Sequence, residues 1–160
     1  MAQNMVDAGR RLCAGKPWAR FERSDAMALL YADGAFDAVV STQVYEYVPE
    51  LEGAVSEFGR VLRKGGCGVI VDTDWSIPYW SATDAVLRDR IIEAWGQHCV
   101  HKRVPMRLPG ALRSAGLQVT NVSVLPLLNT NYNSNYNLRR FSAIGYYSEP
   151  ESYQDLPRWQ

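Results

Sequence analysis

Two short apolar runs, Ala38–Val40 and Val69–Val71, are continuous rather than alternating, the pattern of strands buried on both faces. Between them Leu51, Ala54, Val55, Phe58, Val61 and Leu62 recur at three- and four-residue steps, which predicts a helix with one apolar face. Arg60, Arg63 and Lys64 complement the dipole of its last turn, and Gly65-Gly66 supplies a left-handed stop. The order predicts a strand–helix–strand unit with parallel strands and a right-handed crossover.

Weaker patterns flank this unit. Met1, Met5, Ala8 and Leu12 line one side of a predicted helix over Met1–Cys13, which Gly15 and Pro17 stop. Trp18–Arg23 mixes aromatic and charged residues and gives only a weak strand signal. Val86, Leu87, Ile91, Ile92 and Trp95 predict a helix over Ala82–His98, with Trp95 in the core. Pro105–Leu117 reads as a short helix. Thr120, Val122 and Val124 fall on one face and Asn121 and Ser123 on the other, so Gln118–Leu125 reads as a half-exposed strand. Leu138–Tyr147 is its expected antiparallel partner across the Asn-rich connection Asn129–Asn137. The expected organisation is one domain over residues 1–147 and a tail over 148–160.

Composition narrows the class without choosing a function. The 160 residues are 47% hydrophobic, and 17 basic residues balance 17 acidic ones. A net charge of zero gives no electrostatic case for nucleic acid or an anionic membrane as partner. No run of about 18 apolar residues predicts a membrane helix, and the N-terminus lacks the pattern of a secretory signal, so the cytoplasm is expected. Cys13, Cys67 and Cys99 form no Cys-x-x-Cys pair, and His98-Cys99 with His101 lacks the remaining ligands of a zinc site, so no metal is expected. Buried thiols are the expectation.

The run Asp33-Gly34-Ala35-Phe36-Asp37-Ala38-Val39-Val40, then Val48-Pro49-Glu50, then Arg60-Val61-Leu62-Arg63-Lys64-Gly65-Gly66 resembles class I S-adenosylmethionine-dependent methyltransferases. The branch it most resembles acts on small molecules, as in ubiquinone and menaquinone biosynthesis. The resemblance covers about residues 1–125. It implies an α/β, Rossmann-like sheet of parallel strands with a C-terminal antiparallel hairpin. It also implies that the family's first two strands and Gly-rich loop are lacking, an N-terminally truncated sheet, and that Trp18–Arg23 corresponds to the third strand.

The same resemblance implies the site. Asp25 and Ala26 match the acid–Ala pair that receives the adenine, the carboxylate accepting from the amine and the next backbone N–H donating to the ring; on its own pattern Asp25 reads rather as a helix N-cap, and the flanking resemblance reverses that preference. Ser41, Thr42 and Gln43 follow the first apolar run, where ligands of open α/β sheets bind. They are expected at the amino-acid end of the cofactor. Tyr45 and Tyr47 are expected to face cofactor or acceptor, with ordinary packing as the alternative. Trp75 and Trp80 belong to an aromatic loop suited to walling an apolar acceptor. Glu46 reads as a solvated carboxylate or, less simply, a general base. No catalytic residue is assigned.

The resemblance therefore implies S-adenosylmethionine as cofactor, a small-molecule acceptor and methyl transfer. In the family the first strand lies beside the fourth, which here is Phe36–Thr42, so its open edge points to self-association as a homo-oligomer. The competing reading is a non-catalytic remnant that serves as a binding or assembly protein.

Overall fold

The computed structural model describes residues 3–77 and 83–126, the Trp95 side chain excepted. They fall into two compact units, residues 3–23 and 123–126 in one and Ser24–Val122 in the other.

In the smaller unit, α1 (Gln3–Leu12) buries Val6 and Ala8, while Leu12 is half exposed. The buried stripe is thus turned from the predicted Met1, Met5, Ala8 and Leu12 line. Gly9 permits this: a Cβ there would lie 2.6 Å from the Phe21 ring. Residues 18–23 form no strand, and the Trp18 side chain is 77% exposed. The expected third strand is therefore absent among the described residues, because its aromatic–charged mixture gives it no apolar face to bury against a sheet.

The larger unit is organised by β1 (Phe36–Thr42), α2 (Leu51–Val61) and β2 (Leu62–Val71). β1 and β2 are parallel, with Val39 opposite Gly68, Val40 opposite Val69 and Ser41 opposite Ile70. α2 passes directly into β2 at Leu62, whose backbone is already extended. Leu62, Arg63 and Lys64 therefore belong to the strand and not to the last helical turn, a correction to the sequence reading. Gly65 takes a φ of +75° inside β2, where the register jumps between the Phe36–Leu62 and Ala38–Cys67 pairs. The glycine that was expected to stop a helix instead makes a bulge.

One face of the pair is covered and the other is not. Phe58 of α2 lies over Gly68, and Ile70 packs on a core of Tyr45, Leu51, Ala54, Val55, Val104, Leu108 and Ala111. On the opposite face Val40 is 69% and Val69 53% exposed, so the expectation of burial on both faces fails. Continuous apolar runs state that a strand tolerates two apolar faces; a second layer must still arrive to bury them.

The remaining elements are α3 (Ala85–Gly96) and α4 (Val104–Ser114). Val86, Leu87 and Ile91 of α3 are exposed, so its apolar side is not core. α4 packs on α2 through Val104, Leu108 and Ala111. It ends in a Schellman cap: Gly116 has a φ of +80°, and the N–H groups of Gly116 and Leu117 donate to the carbonyls of Arg113 and Leu112. Residues 118–126 carry no strand, and Val122, Val124 and Leu125 are exposed. A strand needs a partner for its backbone groups, and the partner expected at Leu138–Tyr147 lies outside the described residues, as do the connection Asn129–Asn137 and the tail 148–160.

Candidate functional site

The carboxyl ends of two parallel strands leave backbone groups facing outward, and here the chain turns sharply after β1. Gln43 donates from its N–H to the Val71 carbonyl at 2.8 Å, the last rung of the ladder. It does so with a φ of +55°, a left-handed conformation that non-glycine residues adopt rarely. The chain then enters a 3-10 turn, Tyr45–Tyr47, whose Tyr45 and Glu46 are buried. Strain of this kind collects at sites where a loop must take one shape.

Asp72 holds that turn from the other strand. Its Oδ1 accepts the Val44 N–H at 3.0 Å, and the Tyr45 N–H also donates to the carboxyl. Placed by its neighbours, the Gln43 amide donates to Glu46 Oε1 at 3.1 Å and accepts from Thr73 Oγ1. The Glu46 carbonyl accepts the N–H groups of Val100 and His101, at 2.8 and 3.1 Å. Two separate segments, Val71–Thr73 and Val100–His101, thus converge on the turn after β1.

Electrostatics follows burial. Desolvation pushes the Tyr45 phenol up to about 12; the Ser41 hydroxyl beside it acts in the opposite direction, and Asp72 raises it further. Tyr47 is likewise pushed up to about 12, by burial and then by the charges of Glu46, Cys99 and Asp72. Both phenols stay protonated at neutral pH, so they act as donors and not as bases. Asp72 rises to about 8, chiefly from burial and from its contact with Glu46. Burial raises the Cys99 thiol to about 11.

The predicted site residues are placed as follows. Ser41 and Thr42 end β1, Thr42 exposed, and Gln43 is the left-handed residue after it. Ala26 packs against the core cluster that contains Tyr45, which brings the Asp25–Ala26 segment into the same unit of structure. Asp25 is exposed, and its Oδ1 accepts the Met27 N–H at 2.9 Å in a tight turn bridged from Asp25 to Ala28, not at a helix start. Tyr47 and Trp75 flank the His98 ring, with centroids 5.7 and 6.3 Å away. The Trp75 N–H donates to the Lys102 carbonyl at 2.8 Å. Trp80 lies outside the described residues.

Sequence reading missed two features here. Glu46, read as a solvated carboxylate, is wholly buried, and Asp72 was not singled out. The available signal was an acid just beyond each of two neighbouring parallel strands. Cys67 is exposed, against the expectation of buried thiols; Cys99 is buried. Among the described residues no group of His, Cys, Asp and Glu is arranged to hold a metal, and no helix is long and apolar enough to cross a membrane. A recess of about 310 Å³ in the smaller unit, lined by Arg10, Cys13 and Phe21 among others, contains none of the candidate residues.

Comparison with known proteins agrees with this arrangement. Residues 1–70 match the family described as a methyltransferase domain. A phosphatidylethanolamine N-methyltransferase of Cereibacter sphaeroides is 44% identical over 57 residues, which are 36% of this chain and 28% of that protein. A 2-methyl-6-phytyl-1,4-hydroquinone methyltransferase of Synechocystis is 38% identical over 58 residues, 36% of this chain and 18% of that protein. An uncharacterized 37.1 kDa protein in a Streptomyces fradiae transposon is 34% identical over 74 residues, 46% of this chain and 21% of that protein. The chain thus spans about a quarter of the length of the curated relatives it matches. The matched segment contains β1, α2 and the turn between them, and over that segment the chain is similar to methyltransferase domains.

Proposed function

We propose that the larger unit is the adenine- and amino-acid-facing part of a methyltransferase that acts on a small molecule with S-adenosylmethionine as donor. The observation that carries this reading is the braced turn at the carboxyl end of β1, with Ser41, Thr42 and Gln43 where a ligand of a parallel sheet binds. The cofactor supplies a methyl group already activated on a sulfonium, so the protein's share is mainly orientation. The residues fit it. Asp25 is exposed and spends one oxygen on Met27, and a carboxylate accepts about four hydrogen bonds, so capacity remains for an adenine amine. Ala26 offers the adjacent backbone N–H. Tyr45 and Tyr47, held protonated, serve as donors toward cofactor or acceptor, and Trp75 and Trp80 belong to the acceptor side.

A second copy of the chain is the partner this reading favours, in the cytoplasm. Among the described residues β1 pairs only with β2, and the apolar Val40 and Val69 on the uncovered face of the pair are exposed.

Isothermal titration of the full chain with S-adenosylmethionine tests the proposal. Micromolar binding that Asp25→Ala weakens about tenfold, equivalent to about 1.4 kcal/mol, supports it. Silence at millimolar cofactor rejects it in favour of a non-catalytic binding or assembly protein.

A further inference from the structure

Two carboxyl groups meet beneath the turn that follows β1. Glu46 is 0% exposed, and its Oε2 and Asp72 Oδ2 are both shielded from solvent with no hydrogen-bond donor within reach. Yet the two side chains lie within hydrogen-bonding reach of each other. Two carboxylate oxygens in a dry site repel unless a proton lies between them, so the pair holds one. The other oxygens grip the backbone and its neighbour: Asp72 Oδ1 takes the Val44 N–H, and Glu46 Oε1 takes the Gln43 amide.

We propose that Glu46 and Asp72 are positioning residues, joined by a single shared proton into a clamp that fixes the Gln43–Tyr47 turn, and that loss of this proton releases the turn. Its functional consequence, loss of cofactor affinity, rests on the cofactor reading above; the clamp itself does not. The left-handed Gln43 is the part that must be held, because nothing in its own chemistry favours that conformation. Groups facing the pair are Tyr45 and Tyr47 from the 3-10 turn and Cys99 from the segment after α3, whose Val100 and His101 N–H groups hold the Glu46 backbone carbonyl. Both phenols and the thiol titrate well above the Asp72 carboxyl, which burial and the neighbouring Glu46 raise to about 8.

The test is carboxyl-carbon NMR titration of the full chain together with cofactor calorimetry, from about pH 5.5 to 9.5. One carboxyl is expected to remain protonated at neutral pH and to titrate above it, with the Gln43–Tyr47 amide signals shifting in the same step. Affinity then falls by up to about tenfold per pH unit, as for one linked proton. Glu46→Gln supplies an N–H without a titrating proton, so it is expected to flatten both profiles; Asp72→Asn is the second variant should the first not fold. Two carboxyls that both titrate in the acid range overturn the clamp, as does a transition that persists in Glu46→Gln, which would then belong to His98 or His101. Failure to bind cofactor at any pH sinks the cofactor reading alone, and the NMR titration still decides the clamp.

Discussion

The Phe58 ring lies against Gly68 so closely that a Cβ built on the glycine would come within 2.6 Å of it. Glycine in the middle of a strand normally weakens it; here it admits the largest apolar side chain of α2 to the sheet. Gly68→Ala is expected to lower stability by about 1–3 kcal/mol through overpacking. Phe58→Leu in the same chain should recover part of that loss. Urea unfolding of the two single variants and the double variant measures the coupling.

Leu51, Val55 and Val104 are fully buried where α2 meets α4. Leu51→Ala leaves a cavity there and is expected to cost about 2–5 kcal/mol. Leu117→Ala, at the last residue of the Schellman cap of α4, should cost less. A smaller shift in the urea midpoint for Leu51→Ala than for Leu117→Ala would show that the core is elsewhere.

Glu57 accepts the Leu29 N–H at 2.7 Å through Oε1 and is bridged twice by Arg60, which also reaches Asp33. Those bonds, Arg60 first, hold its carboxyl below the usual carboxylate range. A depressed folded value contributes stability that is present above the unfolded value of about 4.3 and lost as pH falls through the folded one. Unfolding followed downward from about pH 6 should show this loss, and Glu57→Gln should blunt it.

Asp72 has the opposite sign. Its folded value of about 8 lies above the unfolded value of about 3.9. Its contribution is complete below the unfolded value and declines as pH rises toward and through 8. The urea midpoint should therefore fall between about pH 5 and 8.5 in the natural chain and stay level in Asp72→Asn. A midpoint that rises over that interval would contradict the buried pair.

Thiol labelling separates the two cysteines of the larger unit. Cys67 stands exposed on the open face of the sheet, while Cys99 is buried with a thiol raised to about 11. An aromatic disulfide reagent at neutral pH should modify Cys67 promptly and Cys99 only on unfolding. If Cys67 becomes protected as protein concentration rises, the open face is the surface on which a second copy sits.

The sequence by itself determined the elements with strong periodicity. Continuous Val-rich runs around an i, i+3, i+4 helix leave few alternatives, and β1, α2 and β2 follow in the predicted order with the strands parallel, although β2 starts at Leu62, inside the predicted helix. It was silent or misleading wherever the outcome depends on a neighbour. Gly65 was a helix stop by its flanks and became a bulge because β1 sets the register of β2. Residues 118–126 alternate as a strand should, but alternation supplies no partner for their backbone groups. Glu46 and Asp72, 26 positions apart, each look like ordinary polar residues at strand ends. Only the parallel pairing brings the two acids into one dry place, where Coulomb repulsion obliges them to share a proton, and a contact between distant residues leaves no periodic trace in the chain.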